Sequence, residues 1–193
     1  MSELDLAISI ALGVGLAAAT GFRVFLPMLI VSAAAYTGHF PLSEGFAWLG
    51  TPSALTMLSV AALVEMLAYY IPGLDNLLDS LATPAAFLAG TVVAAAAMGD
   101  LPPMVKWTTA IIAGGGVAGL MQGVSAVLRA NSTVLTGGLG NSVIATAENT
   151  GAIVVSLLAL AAPLLALLVV IGFCWAAVRL LRKLLSRAPP PKA

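Results

Sequence analysis

Long uncharged runs alternate with short polar interruptions along the chain. No charged residue falls in 6–22, 24–43, 80–99, 107–128, 130–147 or 149–178. A helix needs roughly 20 apolar residues to cross a bilayer, and most of these runs reach or approach that length. They are apolar on every side, so no helical or strand period can be read inside them. Lipid settles the choice. Only helices and closed barrels satisfy their own backbone there, and barrel strands would alternate apolar and polar positions. The pattern predicts an all-α, polytopic transmembrane helical bundle with about 5–7 membrane segments, including re-entrant or broken helices.

The interruptions predict where the helices break. Residues 5–38 are too long for one span and short for two, with Arg23 between Gly21 and Pro27. Two half-length helices meeting at Thr20-Gly21-Phe22-Arg23, as a broken-helix hairpin, would explain this; one tilted span and a second short one is the alternative. Residues 39–52 hold Pro41, Glu44, Gly45, Trp48, Gly50 and Pro52 and read as a loop, with Trp48 suited to the headgroup level. A span over 53–70 should stop at Pro72-Gly73, with Tyr69 and Tyr70 as its aromatic belt. Leu74, Leu77, Leu78 and Leu81 then share one helical face and Asp75 and Asp79 another. That pattern predicts a short amphipathic helix whose aspartates face water.

Further spans are expected at 84–99 and 105–128. The second holds Gly115, Gly119 and Gly123 at intervals of four, a spacing that lets helices approach closely in lipid, as a moving interface or as static packing. Residues 129–150 are too polar for lipid and too uncharged for an ordinary water loop. A second re-entrant segment lining a cavity fits, and so does a polar extramembrane loop with a surface helix. The last helix is expected over 151–186, kinked at Pro163. Residues 1–187 then form one integral membrane domain, and 188–193 a disordered tail.

Composition removes other classes. Of 193 residues, 61% are hydrophobic and 8% charged; a soluble domain carries roughly 25% charged residues. A net charge of zero leaves no electrostatic footprint for nucleic acid. Cys174 has no second cysteine to pair with, and His39 has no second His or Cys for a metal site, so neither metal nor cofactor is expected. Glu3 and Asp5, with no basic residue beside them, are unlike a secretory signal peptide, so 5–20 reads as mature membrane structure. Four of the eight basic residues are Arg179, Arg182, Lys183 and Arg187. That bias places the C-terminus in the cytoplasm and the protein in the cytoplasmic (inner) membrane.

Arg23, Glu65, Asp75, Asp79, Arg129 and Glu148 lie in or beside apolar territory. A charge at the bilayer centre costs at least roughly 2.5–3.5 kcal/mol, so such groups are functional candidates by default. The structural alternative is that Arg–Glu pairs only lock helices together. Glu65, in mid-span, is suited to carry a proton or bind a cation. Arg23 and Arg129 are suited to an anion or phosphate, which guanidinium holds bidentately. Enzyme signatures are absent: no His-based triad, no H-E-x-x-H, no G-x-x-x-x-G-K.

The segments at these breaks resemble a bacterial family of small polytopic membrane proteins known as domain of unknown function 4126. The resemblance lies in Gly21-Phe22-Arg23-Val24-Phe25-Leu26-Pro27-Met28-Leu29, in Glu65 with Ile71-Pro72-Gly73-Leu74-Asp75-Asn76-Leu77-Leu78-Asp79, and in the run from Arg129 to Ser142 followed by Glu148. It covers about 10–180 in order. Members usually carry proline where Ser142 stands, which loosens that turn here. The resemblance implies fold and membrane location, and no activity. The paired breaks with Arg and Pro near their tips also look like the DedA-related transporters, an analogy of fold alone.

Together these readings predict a small transporter or permease. Arg23, Glu65, Arg129, Asn131, Thr133, Thr136, Asn141 and Glu148 would line its polar site, with proton coupling through Glu65 and no catalytic residue. The partners expected are the lipid bilayer and a small-molecule, ion or lipid-phosphate substrate, with a homo-oligomer left open. The alternative is a non-transporting membrane scaffold or assembly factor whose buried charges are closed structural pairs.

Overall fold

A computed structural model of the chain describes residues 2–71, 73–99 and 101–185. Among them there are seven helices and no strand: α1 (Glu3–Thr20), α2 (Phe25–Tyr36), α3 (Pro52–Ala68), α4 (Leu74–Ala97), α5 (Pro103–Thr136), α6 (Asn141–Ala161) and α7 (Pro163–Leu185). Four of them, α1, α4, α5 and α6, are long and apolar enough to cross a membrane. The expected tail 188–193 and Arg187 lie outside the described residues.

Helix α1 is the axis of the bundle, and α4, α5, α6 and α7 all pack on it. Its second half is built from Gly15, Leu16, Ala17, Ala18 and Ala19, all buried. Small side chains here let four neighbours approach at once. The chain breaks at 21–24, and α2 returns toward the end where α1 begins. There the loop after α2 donates Ser43 N–H to the Ala96 carbonyl (2.9 Å), beside the Met98 and Ala94 atoms that face Gly13. The two helices do meet at a tip that carries Arg23, but α1, with 18 residues, is long enough to span, and α2 has 12, so the arrangement is that of one span and a second short helix and not of two half-length helices. The second is only about 18 Å long, short of a bilayer's ~30 Å core.

Helix α3 starts on a Thr51 N-cap with Pro52 as its first residue and runs back to the hairpin tip. Gly73, at φ 90, turns the chain into α4. A separate amphipathic helix at 74–81 is not found. One helix runs from Leu74 to Ala97 through Pro84, because neighbouring helices in a bundle can support the freed carbonyl that proline leaves. The water-facing assignment of Asp75 and Asp79 is likewise overturned: they are 1% and 7% exposed, while Leu77 and Leu81 are 60% and 63% exposed. The amphipathic pattern of this first part of α4 is real but faces the other way, apolar out and polar in, as suits a helix whose surroundings are lipid.

Helix α5 carries a π-helical turn at Ala110–Gly115. Such a turn adds a residue and rotates the remainder of the helix by about 100°. Close contact with α4 therefore falls on Gly114, Gly115 and Ala118 against Gly90, Ala94 and Thr91, instead of the expected Gly115-Gly119-Gly123 stripe. Gly123 has nothing within 4 Å of where a Cβ would stand. Over 129–150, where a re-entrant segment or a polar loop with a surface helix is expected, the structure has two helices joined by a turn. Helix α5 continues to Thr136, Gly137 (φ 65) and Gly138 (φ 92) make a turn, and α6 begins at Asn141. Both glycines hold left-handed backbone that side-chain-bearing residues resist. Finally, the predicted kink at Pro163 is a full break at Ala162 (φ −147). Helices α6 and α7 form a hairpin along α1, with Ala159 and Ala166 at Gly15, and Gly151 and Phe173 at Phe22.

Candidate functional site

The tip of the α1–α2 hairpin carries Arg23 into a buried polar centre closed by α3, α4, α5 and α6. Its Nη1 pairs with Glu148 Oε2 at 2.9 Å, its Nε donates to Asn149 Oδ1 (2.6 Å), and its Nη2 donates to the Ala145 carbonyl (3.3 Å). Arg129 enters from α5 and forms ion pairs with Glu148 and with Asp79 of α4. Gln122, two turns earlier on α5, donates to the same Asp79 oxygen at 3.2 Å. One Glu148 oxygen thus bridges both guanidinium groups.

Tyr69, one residue past α3, stands between the two arginines. Arg23 Cζ lies 3.9 Å and Arg129 Cζ 4.2 Å from its ring centroid. Both guanidinium groups therefore gain the attraction of a desolvated aromatic ring, while the shared Glu148 oxygen offsets their mutual repulsion. The expected aromatic belt is overturned for Tyr69, which is buried, whereas Tyr70 is exposed. Tyr70 instead links the centre to α6, its hydroxyl bonding Thr146 Oγ1 (2.9 Å) and accepting from Asn149 Nδ2 (3.4 Å). Two positive and two negative side chains meet at this centre, so its formal charge cancels.

Glu65 serves a different purpose at the same level. Its Oε1 accepts the Val24 N–H (2.7 Å) and its Oε2 the Phe25 N–H (2.9 Å). Those are first-turn amides of α2, which no residue of α2's own N-cap satisfies. A carboxylate there also meets the positive end of the helix dipole. Glu65 holds the hairpin tip in place from the neighbouring helix. Removing it in Glu65→Ala leaves both amides unpartnered and is expected to cost about 1–3 kcal/mol. Equilibrium unfolding in mixed micelles measures this; a loss below the scatter of that assay would show that the amides find other partners.

A second polar cluster lies toward the α5–α6 turn. Asp75 Oδ1 accepts the N–H groups of Gly73 (2.9 Å) and Asn76 (2.8 Å), and Asn141 Nδ2 donates to its Oδ2. Asn141 Nδ2 also reaches Thr133 Oγ1 at 2.8 Å. Of the residues expected to line one site, then, Arg23, Arg129 and Glu148 meet directly with Glu65 beside them. Asn141 and Thr133 form the adjoining cluster. Asn131 and Thr136 are exposed, and each donates to a carbonyl of its own helix, Val127 and Ser132. Sequence reasoning left Asp75, Asp79, Tyr69, Gln122 and Asn149 out of the site. The signal for the aspartates was available in their i,i+4 spacing opposite a leucine stripe, once that stripe is turned toward lipid.

Two cavities lined by described residues adjoin the centre. One, of about 550 Å³, lies between α2, α3 and α4 and has Glu65 and Tyr69 in an otherwise apolar wall. The other, about 390 Å³, lies between the hairpin tip, α5, α6 and α7; among the described residues Glu148 is the one ionisable side chain lining it. Three buried polar atoms near these clusters have no hydrogen-bond partner: Arg129 Nε, Glu148 Oε1 and Asn141 Oδ1. Buried polar atoms are nearly always partnered in folded proteins.

An all-α bundle with spanning-length apolar helices and a buried arginine–carboxylate centre defines a membrane protein of the polytopic helical class. The chain belongs to the family described as Domain of unknown function (DUF4126), whose model matches residues 10–183. No curated protein and no solved structure matches the chain.

Proposed function

We propose that this protein is a small permease of the cytoplasmic membrane whose buried centre receives an anionic group. One observation carries the reading: Glu148 bridges two arginines while lining a cavity, with its second oxygen unpartnered. A carboxylate in that position is a resident stand-in for an anion. A guest carboxylate or phosphate oxygen would meet the same fork of donors. The role expected for Glu65 as proton carrier passes to Glu148, because both Glu65 oxygens are engaged by backbone. The basic residues Arg179 and Arg182 of α7 support a cytoplasmic C-terminus.

Proteoliposomes on a solid-supported membrane test this. Concentration jumps of phosphate, chloride, acetate and hexanoate are expected to give a protein-dependent current with at least one anion. Arg23→Gln should lower that current by about tenfold or more, the equivalent of losing one charged hydrogen bond. Silence with every anion would sink the proposal. It would favour the second reading, a scaffold or assembly factor, whose supporting observation is that the four charges cancel in closed pairs.

A further inference from the structure

We infer that the cavity between the hairpin tip, α5, α6 and α7 binds a monocarboxylic acid with an apolar body, taken up together with its proton, and that Glu148 is the group that accepts that proton. The inference rests on the permease reading for its site and adds the class of ligand.

The cavity's shape and lining argue for the body of the guest. Phe22, Val124, Leu128, Val143, Ile144 and Phe173 make walls with no charge among them. Leu128, Val143 and Phe173 are exposed on its open side, which in a bilayer would face acyl chains. A guest that arrives from lipid must be apolar and uncharged, because a bare carboxylate pays several kcal/mol to be there.

The polar end argues for the acid. Glu148 Oε1 is buried, lacks a partner and can only accept, so the guest must offer an O–H or N–H. An ammonium would add a third positive charge to a centre that already holds Arg23 and Arg129. A neutral alcohol would satisfy Glu148 and leave the arginines unchanged. A protonated carboxylic acid satisfies both. Its O–H bond breaks as the proton passes to Glu148 Oε1, where a new O–H bond forms. The acid's carboxylate then replaces that of Glu148 on the two guanidinium groups. The total charge of the centre is the same before and after, which a low-dielectric site requires.

The groups facing Glu148 are named by the packing. Arg23 comes from the tip, Arg129 from α5, Asp79 from α4 behind Arg129, and Glu65, Tyr69 and Tyr70 from the end of α3. Helix α7 contributes Phe173 to the cavity. None of the others is both unpartnered and placed on the cavity, so the accepted proton has one seat.

Calorimetric titration into phosphatidylcholine nanodiscs, with empty discs as the blank, tests this using hexanoate, palmitate, hexanol and hexylamine. Hexanoate is expected to bind, with apparent affinity rising about tenfold per unit fall in pH between neutral and mildly acidic conditions, the slope for one proton bound per anion. Hexanol and hexylamine are expected to bind at least tenfold more weakly, since neither replaces Glu148 on the arginines. The palmitate arm separates a membrane fatty acid from a free short acid; binding of either with the same pH slope supports the inference. Glu148→Gln cannot take the proton, so its hexanoate affinity should lose the pH slope. Ala147→Phe fills the cavity without touching the charged centre, and should weaken hexanoate at least tenfold while the protein stays folded. No acid binding, a flat pH slope in the wild type, or full binding by Ala147→Phe would each overturn it. Hexanoate binding without transport keeps this inference and ends the permease reading. Phosphate transport without acid binding does the reverse.

Discussion

Arg129→Ala is expected to lower the stability of the folded protein by about 3–5 kcal/mol, the range found when one partner of a buried ion pair is removed. Arg129 is fully buried, and it is the partner of both Asp79 and Glu148. Deleting it strands two carboxylates, with only Arg23 left to share. Equilibrium unfolding in mixed micelles gives the number. A charge-balanced variant shows that the loss is electrostatic in origin. Arg129→Met combined with Asp79→Leu removes one charge of each sign and leaves the Arg23–Glu148 pair intact. It should recover most of the stability lost in Arg129→Ala, since well-packed apolar replacements of a buried pair are often neutral or better. Arg129→Lys keeps the charge but not the planar fork that reaches two carboxylates at once, so it should fall between. An Arg129→Ala protein as stable as the wild type would mean that the pairs are solvated, contrary to the burial described.

One fact decides how much of this was legible in the sequence: lipid replaces water as the surroundings. Charge-free runs gave the all-α class and the presence of apolar helices long enough to span, four among the described residues, because run length is a direct reading of what a bilayer demands; they did not give the number or bounds of the helices. Arg23 between Gly21 and Pro27 gave the hairpin tip, since an arginine in an apolar run has to be compensated. The same reasoning failed at Asp75 and Asp79. Opposed stripes of leucine and aspartate have two readings, and the water-soluble habit of apolar-in was the wrong one at an interior helix. The partners of each charge were not legible. Glu65 reaches the amides of Val24 and Phe25 some 40 positions away in sequence, and no local spacing encodes that. Nor was the π turn at Ala110–Gly115, a one-residue shift that moved the close approach from Gly119 and Gly123 to Gly114 and Ala118.

Those two failures have a common consequence for the candidate centre. The polar groups are assembled by tertiary packing of small residues, which bring α1, α4 and α5 close enough for Arg23, Asp79 and Arg129 to meet. The charges do not hold the helices together unaided; alanine and glycine contacts set the distances over which the charges act. The arrangement should therefore be more sensitive to volume at the helix crossings than to polarity on the surface.

Gly21→Ala is the sharpest test of that dependence, and a loss at the upper end of about 1–3 kcal/mol, or beyond it, is expected from overpacking. A Cβ on Gly21 would stand 2.3 Å from Met121 Cβ and 2.5 Å from the Ala118 carbonyl oxygen. The second is backbone, inside α5, and cannot swing aside as a side-chain tip would. Gly21 adopts an ordinary right-handed conformation, φ −73, so the methyl group itself, and not the backbone, is at fault. The hairpin tip must back away from α5 and carry Arg23, two residues on, out of register with Glu148. Stability and hexanoate affinity should fall together. Gly123→Ala is the matching control, because it has nothing within 4 Å and lies in the interior of α5. There the same methyl group should be neutral or stabilising by up to about 1 kcal/mol, the difference in helix propensity. If Gly21→Ala and Gly123→Ala behave alike, the tip is not wedged against Met121 and Ala118, and the placement of Arg23 needs another explanation.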